Sequence, residues 1–143
     1  MKKVIIAAIL LLAISDFAQA QEAGIRLGNF SAGNVAVDGV FSFGEWNRIH
    51  ADVAFGSAGV GVDALWDFAY NSLDRKNFFW YGGAGVSALF GDYFMLGVAG
   101  EIGVEYKFDF PVTVGFDWRP VFTIIEFTDL ELDNFGLNAR YRF

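Results

Sequence analysis

Among 143 residues there is no cysteine, and there are only two prolines and one histidine. Without cysteine, disulfides cannot brace a small core and thiolate metal centres are excluded. A lone histidine, His50, rules out a multi-histidine metal site. Cations are also scarce: 10 Lys and Arg stand against 17 Asp and Glu, a net charge of −7. Nucleic acid rewards basic surfaces, so that partner is excluded. Beyond residue 20 every apolar run is cut by a charge or a glycine, and none approaches the roughly 20 residues of a spanning helix. Helical periodicity is missing as well.

What the chain does have is apolar and aromatic bulk, 55% and 18% of its residues. Its first 20 residues have the form of a cleaved secretory signal: Lys2 and Lys3, an apolar core from Val4 to Ile14, and a small-x-small end at Ala18-Gln19-Ala20. Asp16 stops that run too early for a membrane anchor. Cleavage before Gln21 would remove Lys2, Lys3 and Asp16, leaving 8 basic and 16 acidic residues in one domain, 21–143.

That domain alternates with a period of two. Phe135, Leu137, Ala139, Tyr141 and Phe143 oppose Asn138, Arg140 and Arg142. Val112, Val114, Phe116 and Trp118 oppose Thr113, Gly115, Asp117 and Arg119. Ile49, Ala51, Val53 and Phe55 oppose Arg48, His50 and Asp52, and Val60 to Phe68 oppose Gly61, Asp63, Leu65 and Asp67. Weaker runs occupy 23–30, 34–43, 78–90 and 94–107. Turn-type residues separate them, as at Gly44-Glu45, Gly56-Ser57 and Gly91-Asp92. Eight strands of about 10 residues use about 80. The remaining ~43 residues give connections of about 5–6 residues, an ordinary length. The expected fold is all-β: an eight-stranded antiparallel up-and-down transmembrane β-barrel with short loops.

A soluble lipocalin-like barrel also alternates, with its apolar face inward. Three features favour the opposite polarity. Phe41, Phe43, Phe68, Tyr70, Phe78, Tyr106, Phe108, Tyr141 and Phe143 would gather at one end, and Phe55, Phe90, Phe94, Phe122 and Phe127 at the other, like the girdles at membrane interfaces. The polar face mixes glycines with near-equal numbers of cations and anions, as a narrow filled lumen needs. So short a chain has no other use for this many one-sided aromatics. The expected lumenal ion-pair network is Arg26, Asp38, Arg48, His50, Asp52, Asp63, Asp67, Glu101, Glu105, Asp117, Arg119, Arg140 and Arg142.

The ending Ala139-Arg140-Tyr141-Arg142-Phe143 resembles the C-terminal strand signal read by the outer-membrane assembly machinery, with Tyr141 and Phe143 as its assembly residues. Trp80-Tyr81-Gly82-Gly83-Ala84-Gly85, Ile102-Gly103-Val104-Glu105-Tyr106 and Asp117-Trp118-Arg119-Pro120 resemble segments of small Bacteroidetes-type outer-membrane barrels, in the broad OmpX- and OmpW-like class. The resemblance spans about residues 22–143. It implies an eight-stranded barrel inserted from the periplasm and no single activity. OmpX-type proteins carry long outward loops, whereas here only Thr128 to Asn134 offers any length. Pro120 and Ile124-Ile125-Glu126-Phe127 break the alternation, so a bulge or an early strand end is expected there.

Motifs with chemical meaning each have a plainer reading. Gly59 to Ala64 and Gly83 to Ala88 fit a loose dinucleotide fingerprint, but both lie inside alternating strands with no helix to follow. Ser87 in Gly85-Val86-Ser87-Ala88-Leu89 lacks the closing glycine of a nucleophile elbow. A lipid A deacylase of the PagL type would use His and Ser on the lipid-facing surface, whereas His50 shares its face with Arg48 and Asp52. Glu101 and Glu105 with Asp63, Asp67 or Asp117 could hold a hard cation, but arginines on the same face can neutralise them. Asp92, Glu126, Asp129, Glu131 and Asp133 would sit at the outer rim, either solvated or bridged by cations to lipopolysaccharide.

The expectation is a monomeric structural protein of the cell outer membrane without turnover, and so not an enzyme. Its partners would be membrane lipid, lipopolysaccharide and the assembly machinery, with no cofactor and no metal. The alternatives are a narrow channel for ions or small solutes and a lipid-modifying enzyme.

Overall fold

The computed structural model describes residues 21–30, 32–43, 48–73 and 76–143. The signal segment expected at 1–20 and the turn at Gly44-Glu45 lie outside these residues. Ten strand segments follow in order: β1 (Gln21–Gly28), β2 (Val35–Ser42), β3 (Arg48–Gly56), β4 (Gly59–Ser72), β5 (Phe78–Gly91), β6 (Phe94–Lys107), β7 (Val112–Trp118), β8 (Val121–Ile125), β9 (Asp129–Glu131) and β10 (Phe135–Arg142). All pairings are antiparallel, and the β1–β10 and β5–β6 ladders close the sheet on itself.

The ten segments form eight staves. β7 and β8 both pair with β6 in one continuous register, Ile102 opposite Trp118 and Ala99 opposite Val121. Between them Pro120 lacks a donor, yet its carbonyl still accepts from Gly100 N at 2.9 Å. Strand β7 thus ends at Trp118, as expected near Pro120, and β8 resumes at Val121, while the stave itself runs on through the Gly100 bond. The expected bulge lies further on, where the β6–β8 register shifts between Leu96 and Gly97. It leaves Ile124 and Ile125 both exposed.

The supposed long loop Thr128 to Asn134 is a correction. Asp129–Glu131 is strand β9, paired with β8, and the turn between them carries Glu126 at φ 86. Asp129-Leu130-Glu131-Leu132-Asp133 alternates strictly, which is the local signal for that strand.

Apolar residues face outward. Leu137 is 57% exposed and Trp66 50%, while Arg26 and His50 on the inner face are at 0%. That polarity is the reverse of a lipocalin-like barrel. The inner side of one end is apolar: Ala32, Ala36, Ala54, Leu89 and Met95 cluster there, with Phe30 against them.

One bulge changes the expected placement of an aromatic. Between Trp66 and Ala69 the β4–β5 register slips, so that Asp67 and Phe68 together oppose Gly83. The slip reverses the faces beyond it. Tyr70, expected in the outer girdle, instead points inward and donates its hydroxyl to Glu105 at 2.8 Å. The other girdle contacts lie outside, including Phe78 with Tyr106, Tyr106 with Phe108, and Phe90 with Phe94.

Candidate functional site

The lumen is a salt-bridge lattice strung between facing strands. Because strand residues alternate between faces, each stave delivers its charged positions to the same hollow. Eight strands enclose an interior that side chains just fill, so every inward charge must find its partner there.

At the seam where the first and last staves meet, Arg26 forks onto Asp117 through Nε and Nη2, and Asn138 Nδ2 adds a bond of 3.0 Å to the same carboxylate. Phe30 lies over the Arg26 guanidinium at 4.6 Å. Lower in the lumen, Arg140 joins Glu22 at 2.9 Å, Asp38 at 3.4 Å and Glu105. Glu105 is the hub of that region, since it also receives Arg48 at 2.7 Å and the Tyr70 hydroxyl. Arg48 further reaches Asp67 at 3.5 Å and lies over the rings of Tyr70 and Tyr81.

His50 sits at the centre. Its Nε2 is 2.6 Å from Asp38 and its Nδ1 2.7 Å from Glu101. A doubly protonated ring would satisfy this arrangement with one donor on each side. Arg119 Nη2 is 3.3 Å from each ring nitrogen. Arg119 meets Asp52, Glu101 at 3.2 Å and Asp63 at 3.4 Å.

The structure thus brings together Arg26, Asp38, Arg48, His50, Asp52, Asp63, Asp67, Glu101, Glu105, Asp117, Arg119 and Arg140 on the inner wall. Arg142 stands apart from them. It donates to the carbonyls of Phe108 at 2.7 Å and Phe110 at 3.0 Å, anchoring a turn in place of joining an ion pair. Tyr141 and Phe143 lie outside and meet edge to face at 5.2 Å. Asp92, Glu126, Asp129 and Asp133 are exposed, and Glu131 accepts from Asn134 at 3.1 Å.

Further participants lie outside the expected network. Glu22 is buried and pairs with Arg140 and Lys107. Its alternation with Arg26 along β1 was the available clue. Tyr70 enters through the bulge, which no local pattern announces. The inner anions are then eight, Glu22, Asp38, Asp52, Asp63, Asp67, Glu101, Glu105 and Asp117, against six cations, Arg26, Arg48, His50, Lys107, Arg119 and Arg140.

Chemically, the lattice holds shape. Both glycine-rich motifs lie within strands β4 and β5, and Ser87 donates to Asp63 at 2.6 Å. Two groups, Asp38 with His50 and Asp52, and His50 with Asp67 and Glu101, have ligand-type atoms close enough for a metal ion. In both, His50 is already engaged by carboxylates at both nitrogens. No family model matches the chain, no curated protein matches it, and no solved structure matches it.

Proposed function

We propose that the chain is an integral outer-membrane β-barrel protein of the OmpX-like kind, exported by its N-terminal signal and serving the envelope structurally without turnover. The observation that carries this reading is the inversion of the barrel: Ile25, Leu27, Trp66, Phe116 and Leu137 are exposed while Arg26, His50 and Arg119 are buried. In water such a surface would be a single aggregation-prone apolar belt, because contiguous exposed apolar patches are rarely so large. Surrounded by lipid it is the favourable arrangement. The ring closure supports the same reading, since a barrel satisfies its backbone without water.

On this reading the partners are membrane lipid and lipopolysaccharide around a monomer, and the assembly machinery during insertion. The lumen favours a sealed barrel over a conduit. Its charges are bonded to one another, and the apolar cluster around Met95 with Phe30 closes one end. His50 lies on the inner wall, which separates it from any lipid-facing catalytic role.

Fractionation with heated and unheated gel mobility tests the proposal: the folded protein should sediment with outer membrane and migrate anomalously until boiled. A folded form that stays soluble without detergent would overturn it. In planar bilayers the wild type should show no steady conductance; a steady wild-type conductance that changes in Arg119→Ala would replace the sealed barrel with a channel.

A further inference from the structure

Among the described residues, Asp67 is the one carboxyl group with both oxygens buried and neither hydrogen-bonded. Arg48, its cross-strand partner, stands 3.5 Å from Oδ2 through Nη1 without forming a hydrogen bond, and that Nη1 is itself an orphan. The guanidinium is drawn elsewhere: its Nη2 binds Glu105 at 2.7 Å, and it lies over the rings of Tyr70 and Tyr81. The other cations of the neighbourhood are engaged as well. His50 on β3 gives its nitrogens to Asp38 and to Glu101 Oε1. Arg119 on the β7–β8 stave goes to Asp52, Asp63 and the same Glu101 oxygen.

The backbone turns Asp67 towards Glu101. Across the bulge Asp67 and Phe68 oppose Gly83 on β5, and Gly83 opposes Glu101 on β6. A Cβ at Gly83 would meet Asp67 Oδ1 at 2.8 Å, so the carboxyl group leans over a residue that has no side chain of its own. Oxygens of Asp67 and Glu101 come within 4.8 Å of one another. Glu101 Oε2 is a further buried oxygen without a hydrogen bond, and so is the hydroxyl of Tyr81 on β5. Two carboxylates this close, both cut off from water, repel one another, and neither has a spare cation between them.

We propose that Asp67 and Glu101 form a one-proton site, in which Asp67 stands as the neutral carboxylic acid with its hydroxyl directed at Glu101. A protonated carboxyl group gains one donor, which answers the orphaned acceptor across the glycine. The proton comes from solvent as the barrel closes, and no bond between heavy atoms is made or broken. A neutral acid also escapes the cost of burying a charge that no cation bonds. Counted as carboxylates, the inner acids outnumber the inner cations by eight to six, and a proton on Asp67 removes half of that excess. The inference concerns the inner wall and stands whether or not lipid surrounds the outer one.

Infrared spectroscopy of the protein refolded in deuterated buffer near neutral pH tests it, in a detergent that carries no carbonyl. The wild type is expected to show the C=O stretch of a protonated carboxyl group, displaced by heavy-carbon labelling of the aspartate carboxyls and lost in Asp67→Asn. No such band in the wild type, or one that persists undiminished in Asp67→Asn, would overturn the proposal. Stability gives a second reading. Asparagine copies a neutral acid in shape, so Asp67→Asn should unfold at the wild-type denaturant midpoint. The same exchange at Asp117, which is ion-paired with Arg26, should lower the midpoint. If Asp67→Asn fell as far as Asp117→Asn, or did not refold, Asp67 would be serving as an anion and the one-proton site would be wrong.

Discussion

Arg26 on β1 and Asp117 on β7 are fully buried and bonded to each other, although the stave containing β10 runs between theirs. The guanidinium crosses directly over Gly136, the residue paired with Gly28 on one side and Asp117 on the other. A Cβ at Gly136 would collide with that guanidinium, so the glycine is the passage through which the closing seam is bolted. Removing one member of a buried pair leaves the other charge uncompensated. Asp117→Ala should therefore destabilise the folded barrel by about 3–5 kcal/mol. Denaturant unfolding in detergent, followed by tryptophan fluorescence, measures this.

The same geometry makes a second, sharper expectation. Gly136→Ala removes no bond of its own, yet it should cost about 1–3 kcal/mol by overpacking and displacing Arg26. Combined with Asp117→Ala its effect should shrink, because the fork it disturbs is already gone. Full additivity in the double-mutant cycle would contradict the crossing.

Tyr70 is inside only because of the bulge beside Phe68. Tyr70→Phe deletes its bond to Glu105 and should lower stability by about 0.5–1.5 kcal/mol. Were Tyr70 in the outer girdle, the substitution would be close to neutral in the same unfolding assay.

The outward face can be tested by charge. Leu137→Arg puts a guanidinium where the proposed bilayer is deepest, at a cost of about 2–4 kcal/mol in lipid. In a water-bathed barrel an exposed site of this kind would change little, usually within about ±0.5 kcal/mol. Unfolding from phospholipid vesicles separates the two.

Phe143 is 75% exposed, and among the described residues its ring meets only that of Tyr141, so little of the folded barrel depends on its side chain. Phe143→Ala should refold normally in detergent while lowering the amount inserted in the cell envelope. Normal envelope yield would remove the assembly role assigned to the terminus.

Much of this architecture could be read along the chain because period-two alternation is a local property. Val112 to Trp118 and Phe135 to Phe143 show their faces without reference to any neighbour. The bulge could not be read in this way. Asp67-Phe68-Ala69-Tyr70 looks like unbroken alternation, and only its pairing against Gly83 reveals the slip. The identity of the inner charges was local too, but their partners were not. Arg140 reaches Glu22, 118 residues away, because the stagger of the closed ring brings them level. Strand β9 was hidden for a different reason: Pro120 suggested an end to pairing that the Gly100 amide in fact carries across.

β4, β5 and β6 hold 14 residues each. At about 3.3 Å per residue and a tilt near 45°, that side of the wall is about 33 Å tall. The outward apolar band of such barrels is only about 25 Å. In the proposed setting these three staves would overshoot the hydrocarbon and end among the headgroups, and the ring pairs Phe78 with Tyr106 and Phe90 with Phe94 would mark the two edges.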